Sequence, residues 1–291
     1  MASPRERAQS VLVADLTWPD VQERLAQGCR VAVVPIGSCE QHGPHLPLGS
    51  DTYFIYEASR RGAERAAAQA GAPVALVFPP VWYSNGEQWA PGEVWLRPST
   101  IIALLVDVVT QIDRHSFRHI VLTTGHGGNP GIMADALREA REYGVRAELF
   151  SVAPWAFIDQ AIKDVRETKK IGHACEIETS TSLYLFGDRV RLDRVPPGPE
   201  RPSYWAEISR YETVRRGLVR QQGVSAGRIG EHAGFVGDPT KATAAKGQRL
   251  VDAWEEGFAA FLRELHAAPD AAPAAPPLPA DRAAAASAEA G

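Results

Sequence analysis

The stretch Pro35-Ile-Gly-Ser-Cys-Glu-Gln-His-Gly-Pro-His-Leu-Pro-Leu-Gly-Ser-Asp51 puts Glu40, His42, His45 and Asp51 in a segment that Gly37, Gly43, Pro44, Pro47 and Gly49 keep out of helix and strand. Residues 29–36 before it, Cys-Arg-Val-Ala-Val-Val-Pro-Ile, form a short apolar, β-branched run between glycines, which suits a buried parallel strand. A loop leaving the C-terminal end of such a strand is where open α/β sheets place their sites. A helical pattern follows over 52–69, which Asp51 would cap while pointing back at the loop. Glu40 and His42, two residues apart, project to one side of an extended segment. Converging carboxylates and imidazoles are the ligand set of zinc, manganese, iron or cobalt. For any one of these residues a polar surface loop is the better explanation; for the set, a metal site is.

The remaining chain alternates. Strand patterns at 73–78, 119–124 and 145–152 are separated by helical patterns, one opened by Ser99 with apolar positions Ile101, Leu104, Leu105, Val108 and Ile112, another at 132–143. This order predicts an α/β fold, a single-domain αβα sandwich with a mainly parallel central sheet. Beyond Val152 helices are expected over 154–165, 174–186 and 240–265, while 195–234 resists assignment. Residues 1–266 make one domain. Of the last 25 residues, 267–291, 18 are Ala or Pro, which leaves little side chain to bury and predicts a disordered tail.

Composition excludes several classes. A net charge of −4 without a basic block offers no footprint for nucleic acid, and no apolar run reaches the roughly 18 residues a membrane span needs. The N-terminus lacks an apolar leader core, so a cytoplasmic protein is expected. Cys29, Cys39 and Cys175 make neither a disulfide framework nor a Cys-x-x-Cys site. Cys39 and Cys175 each precede a glutamate of a chemical stretch, which predicts thiols sensitive to mild oxidation.

Two further stretches carry chemistry. Thr124-Gly-His-Gly-Gly-Asn-Pro-Gly131 leaves another strand and opens another helix. Backbone N–H groups of such a turn can hold phosphate, but the Gly-x-Gly-x-x-Gly and Lys-Ser/Thr signatures are absent, and His126 has no packing role there. Gly172-His-Ala-Cys-Glu-Ile-Glu-Thr-Ser180 offers His173, Glu176 and Glu178. On one continuous helix His173 and Glu176 share a face and Glu178 points away.

Together the three stretches resemble the creatininase family of metal-dependent amidohydrolases, over about residues 15–262 including Gly237-Asp-Pro-Thr240. The resemblance implies a homohexamer with two divalent metals, zinc, manganese or iron, at the C-terminal edge of the sheet. Asp51 would bridge the ions, Glu40 and His126 would complete one set, and His42 would hold the other. Relatives that hydrolyse creatinine carry a Glu two residues after the metal-binding His, where this chain has Gly128, so another acid must approach. Helical geometry selects Glu176 as that fifth ligand. His173 would sit beside the substrate as the catalytic proton donor.

The chain departs from the family around the substrate. Glu87-Gln-Trp-Ala-Pro-Gly-Glu93 stands where relatives show Glu-His followed by Phe-Pro-Gly-Thr, and Lys169-Lys170 replaces an aromatic-acidic pair. Ser84, Gln88, Trp89 and Lys170 are the substrate-binding candidates, the lysine for an anionic group. Creatinine is therefore not the expected substrate. The reading is hydrolysis of a cyclic or linear C–N amide bond in a small molecule, with a deformylase or peptidase of the same family as alternative. A phosphate-binding module or a catalytically dead assembly protein is the alternative of another class.

Overall fold

The computed structural model describes residues 10–86, 90–153, 155–169, 171–197 and 234–268. In chain order the regular elements are α1 (Trp18–Ala26), β1 (Val31–Ile36), α2 (Ser50–Ala70), β2 (Ala75–Val77), α3 (Pro98–Asp113), β3 (His119–Thr124), α4 (Asn129–Glu142), β4 (Glu148–Val152), α5 (Asp159–Val165), α6 (Glu176–Phe186) and α7 (Ala244–Ala267). The four strands form one parallel sheet in the order β2-β1-β3-β4.

Alternation along β1 generates the two faces. Val31 and Val33 pack with residues of α2, α6 and α7, whereas Ala32, Val34 and Ile36 pack with α3 and α4. All six positions of β1 and of β3 are buried, which is why β1 reads as a continuous apolar run and β3 as an apolar run, Ile120 to Leu122, flanked by buried His119, Thr123 and Thr124 rather than as alternating strands. The expected αβα sandwich with a parallel sheet is what the chain adopts.

Three local expectations change. Asp51 does not cap α2; it lies inside the first turn, with Gly49 at the N-cap. Ser99 likewise sits within α3 behind Pro98, and Arg97 holds the cap position. The helix expected from 174 begins at Glu176, because Ala174 takes φ 49°, a left-handed conformation that cannot continue a right-handed helix. The Ala/Pro tail from 269 onward and most of 195–234 lie outside the described residues. Among the described residues no helix is long and apolar enough to cross a membrane.

Candidate metal centre

The loops after β1 and β3 meet over the C-terminal edge of the sheet. Their approach needs glycine: a Cβ on Gly125 would stand 2.3 Å from the backbone oxygen of Asp51. The close contact brings the start of α2 against the His126 loop, and four predicted ligands converge. Nδ1 of His126 lies 2.8 Å from Glu40 Oε2 and 3.3 Å from Asp51 Oδ2. The other oxygen of Asp51 faces Nε2 of His42 at 3.1 Å. Asp51 therefore stands between two imidazoles, one per oxygen, and Ser38 Oγ donates to its Oδ2 at 2.6 Å.

The ring nitrogens are oriented by what lies behind them. Nδ1 of His42 is 3.1 Å from the backbone oxygen of Glu40. A carbonyl only accepts, so Nδ1 carries a proton and Nε2 is the nitrogen turned toward the acids. His173 approaches from the other side, with its Nδ1 3.7 Å from Glu40 Oε1 and its ring 4.4 Å from that of His42. Glu40, His42 and His173 form one donor triad and Glu40, Asp51 and His126 a second, each within 4.8 Å.

The electrostatics are those of a site short of positive charge. Burial works against ionisation of Glu40 and Asp51, yet the neighbouring histidines hold both carboxyls below their usual range. Burial likewise favours neutral His42, but Asp51, Glu40 and Glu178 outweigh it and push His42 up to about 10. His126 is raised well above the usual imidazole value by Glu40 and Asp51 against the same opposition. His173 goes down instead, mainly through burial, against the pull of Glu40. Neither Asp51 nor Glu178 pairs with a lysine or arginine among the described residues. Protons on His42 and His126 stand where a divalent cation would satisfy the same carboxylates, so the donor set fits zinc or manganese.

The acid from the third stretch is not the expected one. Glu176 is fully buried, but its oxygens accept from the backbone N–H groups of Glu167 and Thr168, from Thr168 Oγ1 at 2.7 Å and from Lys246 Nζ at 2.5 Å. The assignment of Glu176 as a ligand is thus corrected. Glu178 faces the cluster, with Oε2 4.0 Å from His42 Nε2. The register error is physical: His173 precedes the left-handed Ala174 and is not on α6, so a helical spacing counted from His173 has no meaning. Glu178 takes a short hydrogen bond from Ala174 N, and burial, with Asp51 and Glu40 adding to it, pushes its carboxyl up to about 7 against the pull of His42.

The substrate candidates fare differently. Ser84 is buried, its hydroxyl is spent on a short hydrogen bond to Asn129 Oδ1, and Asn129 in turn donates to Gly37 O and Thr124 Oγ1. Ser84 therefore braces the two loops. Gln88, Trp89 and Lys170 lie outside the described residues. Trp95, which no motif singles out, places its ring 5.8 Å from that of His126. The oxidation-sensitive thiol expected at Cys175 is also corrected: burial pushes it up to about 12 and its sulfur accepts from Ile177 N.

Comparison with known proteins bears on this geometry. The sequence matches the family Creatininase, described as creatinine amidohydrolase, over residues 14–262. The chain belongs to the creatininase family. It is 31% identical to a creatinine amidohydrolase of Pseudomonas putida, over 66% of this chain and 78% of that protein. It is 34% identical to a mycofactocin precursor peptide peptidase of Mycolicibacterium smegmatis over 76% and 79% of the two chains. A 3-dehydro-scyllo-inosose hydrolase of Thermotoga maritima is 30% identical over 89% and 85%. Among solved structures, a mutant creatininase of zinc–zinc type superposes with TM-score 0.74 at 26% identity, covering 89% of this chain and 99% of that one. A manganese creatininase gives 0.73 at 27%, covering 89% and 100%. The hydrolase expectation stands with the family, and the donor atoms of the two triads lie close enough together to hold a metal ion.

Proposed function

We propose that the protein is a dinuclear metal-dependent amidohydrolase that cleaves a C–N amide bond, cyclic or linear, in a small molecule. The observation that carries this reading is the meeting of three carboxylates, Glu40, Asp51 and Glu178, with three imidazoles, His42, His126 and His173, at the C-terminal edge of a parallel sheet. Glu40, Asp51 and His126 would hold one ion, and His42, Asp51 and Glu178 the other. Asp51 is given the bridge because its two oxygens face different histidines and because Glu178 supplies the second set with an acid of its own. The chemistry two such ions supply is activation of a water molecule and polarisation of a carbonyl.

The protein's residues do the rest. Burial of Glu40, Asp51 and His42 keeps bulk water from competing for the site. His173, neutral and with its Nδ1 turned toward Glu40, accepts a proton from the attacking water and returns it to the leaving nitrogen. Relatives with creatinine, a precursor peptide and an inosose in their names mark the span of substrates to try. The departures at Gln88, Glu93 and Lys169-Lys170 favour a substrate other than creatinine, and the peptidase likeness is the second reading. A cytoplasmic homohexamer remains part of the proposal, as does a disordered tail over 267–291.

The test is elemental analysis of the purified chain followed by assay of the zinc- and manganese-loaded enzyme on creatinine, formamides and short peptides. About two ions per chain and chelator-sensitive C–N cleavage are expected. A chain that binds no divalent metal and hydrolyses none of these would overturn the proposal.

A further inference from the structure

His173 lies before α6, so helical geometry does not hold its ring; Gln41 does. Nε2 of His173 is 2.5 Å from the backbone oxygen of Gln41 and 3.0 Å from the side-chain nitrogen of the same residue. The carbonyl can only accept, so the shorter contact requires a proton on Nε2. The Gln41 amide cannot reverse its roles, because its oxygen already accepts from Gly43 N at 2.9 Å. With Nε2 of His173 donating to the carbonyl, the Gln41 amide nitrogen 3.0 Å away makes no hydrogen bond to it. With the proton on Nε2, a neutral His173 carries its lone pair on Nδ1, the nitrogen that faces Glu40.

Gln41 is itself held from outside the loop. Its N–H donates to Glu93 Oε1 at 2.9 Å, and the second oxygen of Glu93 accepts from Ala90 N at 2.6 Å. Next to these, Val94 N donates to Cys39 O at 3.2 Å, so the 90–94 turn is laced to the backbone on either side of Glu40. Glu93 thus gives one carboxylate oxygen to each segment, and both of these contacts are with backbone N–H groups rather than with the imidazoles.

We propose that Glu93 is a positioning residue that, by fixing the backbone of Gln41, holds His173 in the Nε2–H form with Nδ1 open toward the metal cluster. The proposal rests on the reading of His173 given above. It assigns a purpose to one of the positions where this chain departs from its relatives. Loss of the carboxylate frees the Gln41 carbonyl to turn, and the two neutral forms of His173 then interconvert.

The experiment is two-bond 1H–15N correlation spectroscopy of the full-length, zinc-loaded protein with 15N-labelled histidine, the His173 signal being identified by its absence in His173→Gln. The wild-type protein is expected to show His173 protonated on Nε2. In Glu93→Ala the signal should move to a mixture of both forms. Glu93→Gln keeps one oxygen for Gln41 N–H and should restore the wild-type form. A purely structural role would lower the melting temperature and leave the His173 form unchanged. A wild-type His173 protonated on Nδ1, or a folded Glu93→Ala with the wild-type signal, would overturn the proposal. If Glu93→Ala does not fold, the wild-type spectrum and Glu93→Gln decide. A wild-type chain that takes up no zinc would sink the metal reading alone, since the His173 form is still read in the metal-free protein.

Discussion

Glu176 and Glu178 stand two residues apart in the first turn of α6, both turned into the protein, and their surroundings are opposite. Glu176 opens into a pocket the chain has fully furnished: two backbone N–H groups, the Thr168 hydroxyl and the Lys246 ammonium. Burial alone would raise its carboxyl, but Lys246 and the Thr168 contacts hold it below the usual range. Among the described residues Glu178 has one N–H, from Ala174, and beyond it His42 and two more acids, and its carboxyl rises to about 7. A buried acid with its own cation is a brace. One placed among other acids without a permanent cation marks a site that an external cation completes.

Mutation separates the two kinds of acid. The largest effect should come from Asp51→Ala, because Asp51 serves both His42 and His126. Metal affinity is expected to fall by more than about 100-fold, since even groups one step behind a ligand are worth about 10–100-fold. Near-complete zinc occupancy in the variant, measured by elemental analysis, would refute the bridging role. Next come the neighbours on α6. Glu178→Gln should cost one ion of two and leave the metal-free protein as stable as before. Glu176→Gln should keep both ions but destabilise by about 3 kcal/mol, the low end for breaking a buried pair, because Lys246 retains Glu167 and the Lys241 carbonyl. Elemental analysis and urea unfolding of the two variants decide it, and an exchange of the two patterns would invert the comparison.

The same contrast explains what the sequence can and cannot convey. Strand β1 is legible because six consecutive buried residues leave an uninterrupted apolar run, β3 because β-branched and apolar residues follow one another in it, and the loops after them because Gly and Pro break those runs around charged residues. Glu40, His42, Asp51 and His126 follow from that placement. Glu178 does not, because one residue, Ala174, takes a conformation no periodicity announces, and a rotation of the helix start turns a different acid toward the cluster. The burial of Ser84 against Asn129 is likewise set by the approach of two loops, which no local pattern announces. The contribution of Glu93 depends on a contact across 52 residues, which no local pattern carries.

His45 extends the comparison to a base, inside the metal loop yet uncharged. Its Nε2 donates to Thr179 Oγ1 at 2.9 Å, and burial, helped by charged His42, pushes it down to about 4 from an ordinary 6.5. The unfolded chain then binds a proton that the folded chain refuses. The stability associated with a neutral His45 is complete above pH 6.5 and is lost as pH falls toward 4. The upper limit of that loss is about 3.5 kcal/mol, each pH unit between the two values being worth about 1.4 kcal/mol. Urea midpoints across this window should fall less steeply in His45→Gln than in the wild-type protein. Parallel slopes would assign the acid sensitivity to other groups.

The smallest effect concerns the turn that sets the comparison up. Ala174 is fully buried against Leu46 and Phe235 with φ 49°, and its N–H is the one that meets Glu178. A left-handed alanine costs roughly 1–2 kcal/mol, which glycine would relieve. Against this stand the buried methyl, about 0.8 kcal/mol, and the extra freedom glycine gives the unfolded chain, about 0.4–1 kcal/mol. The terms nearly cancel, so Ala174→Gly should change stability by less than about 1 kcal/mol in either direction, a melting shift of no more than about 4 °C for a chain of this length. Zinc affinity should still drop by a few fold, because a glycine turn fixes the directions of His173 and Glu178 less firmly. A variant that melts alike and binds zinc as tightly would show that Glu178 is aimed by α6 itself rather than by the turn before it. Ala174→Val separates the same two causes from the other side, since a β-branched residue is least able to hold this conformation and should loosen both the fold and the site.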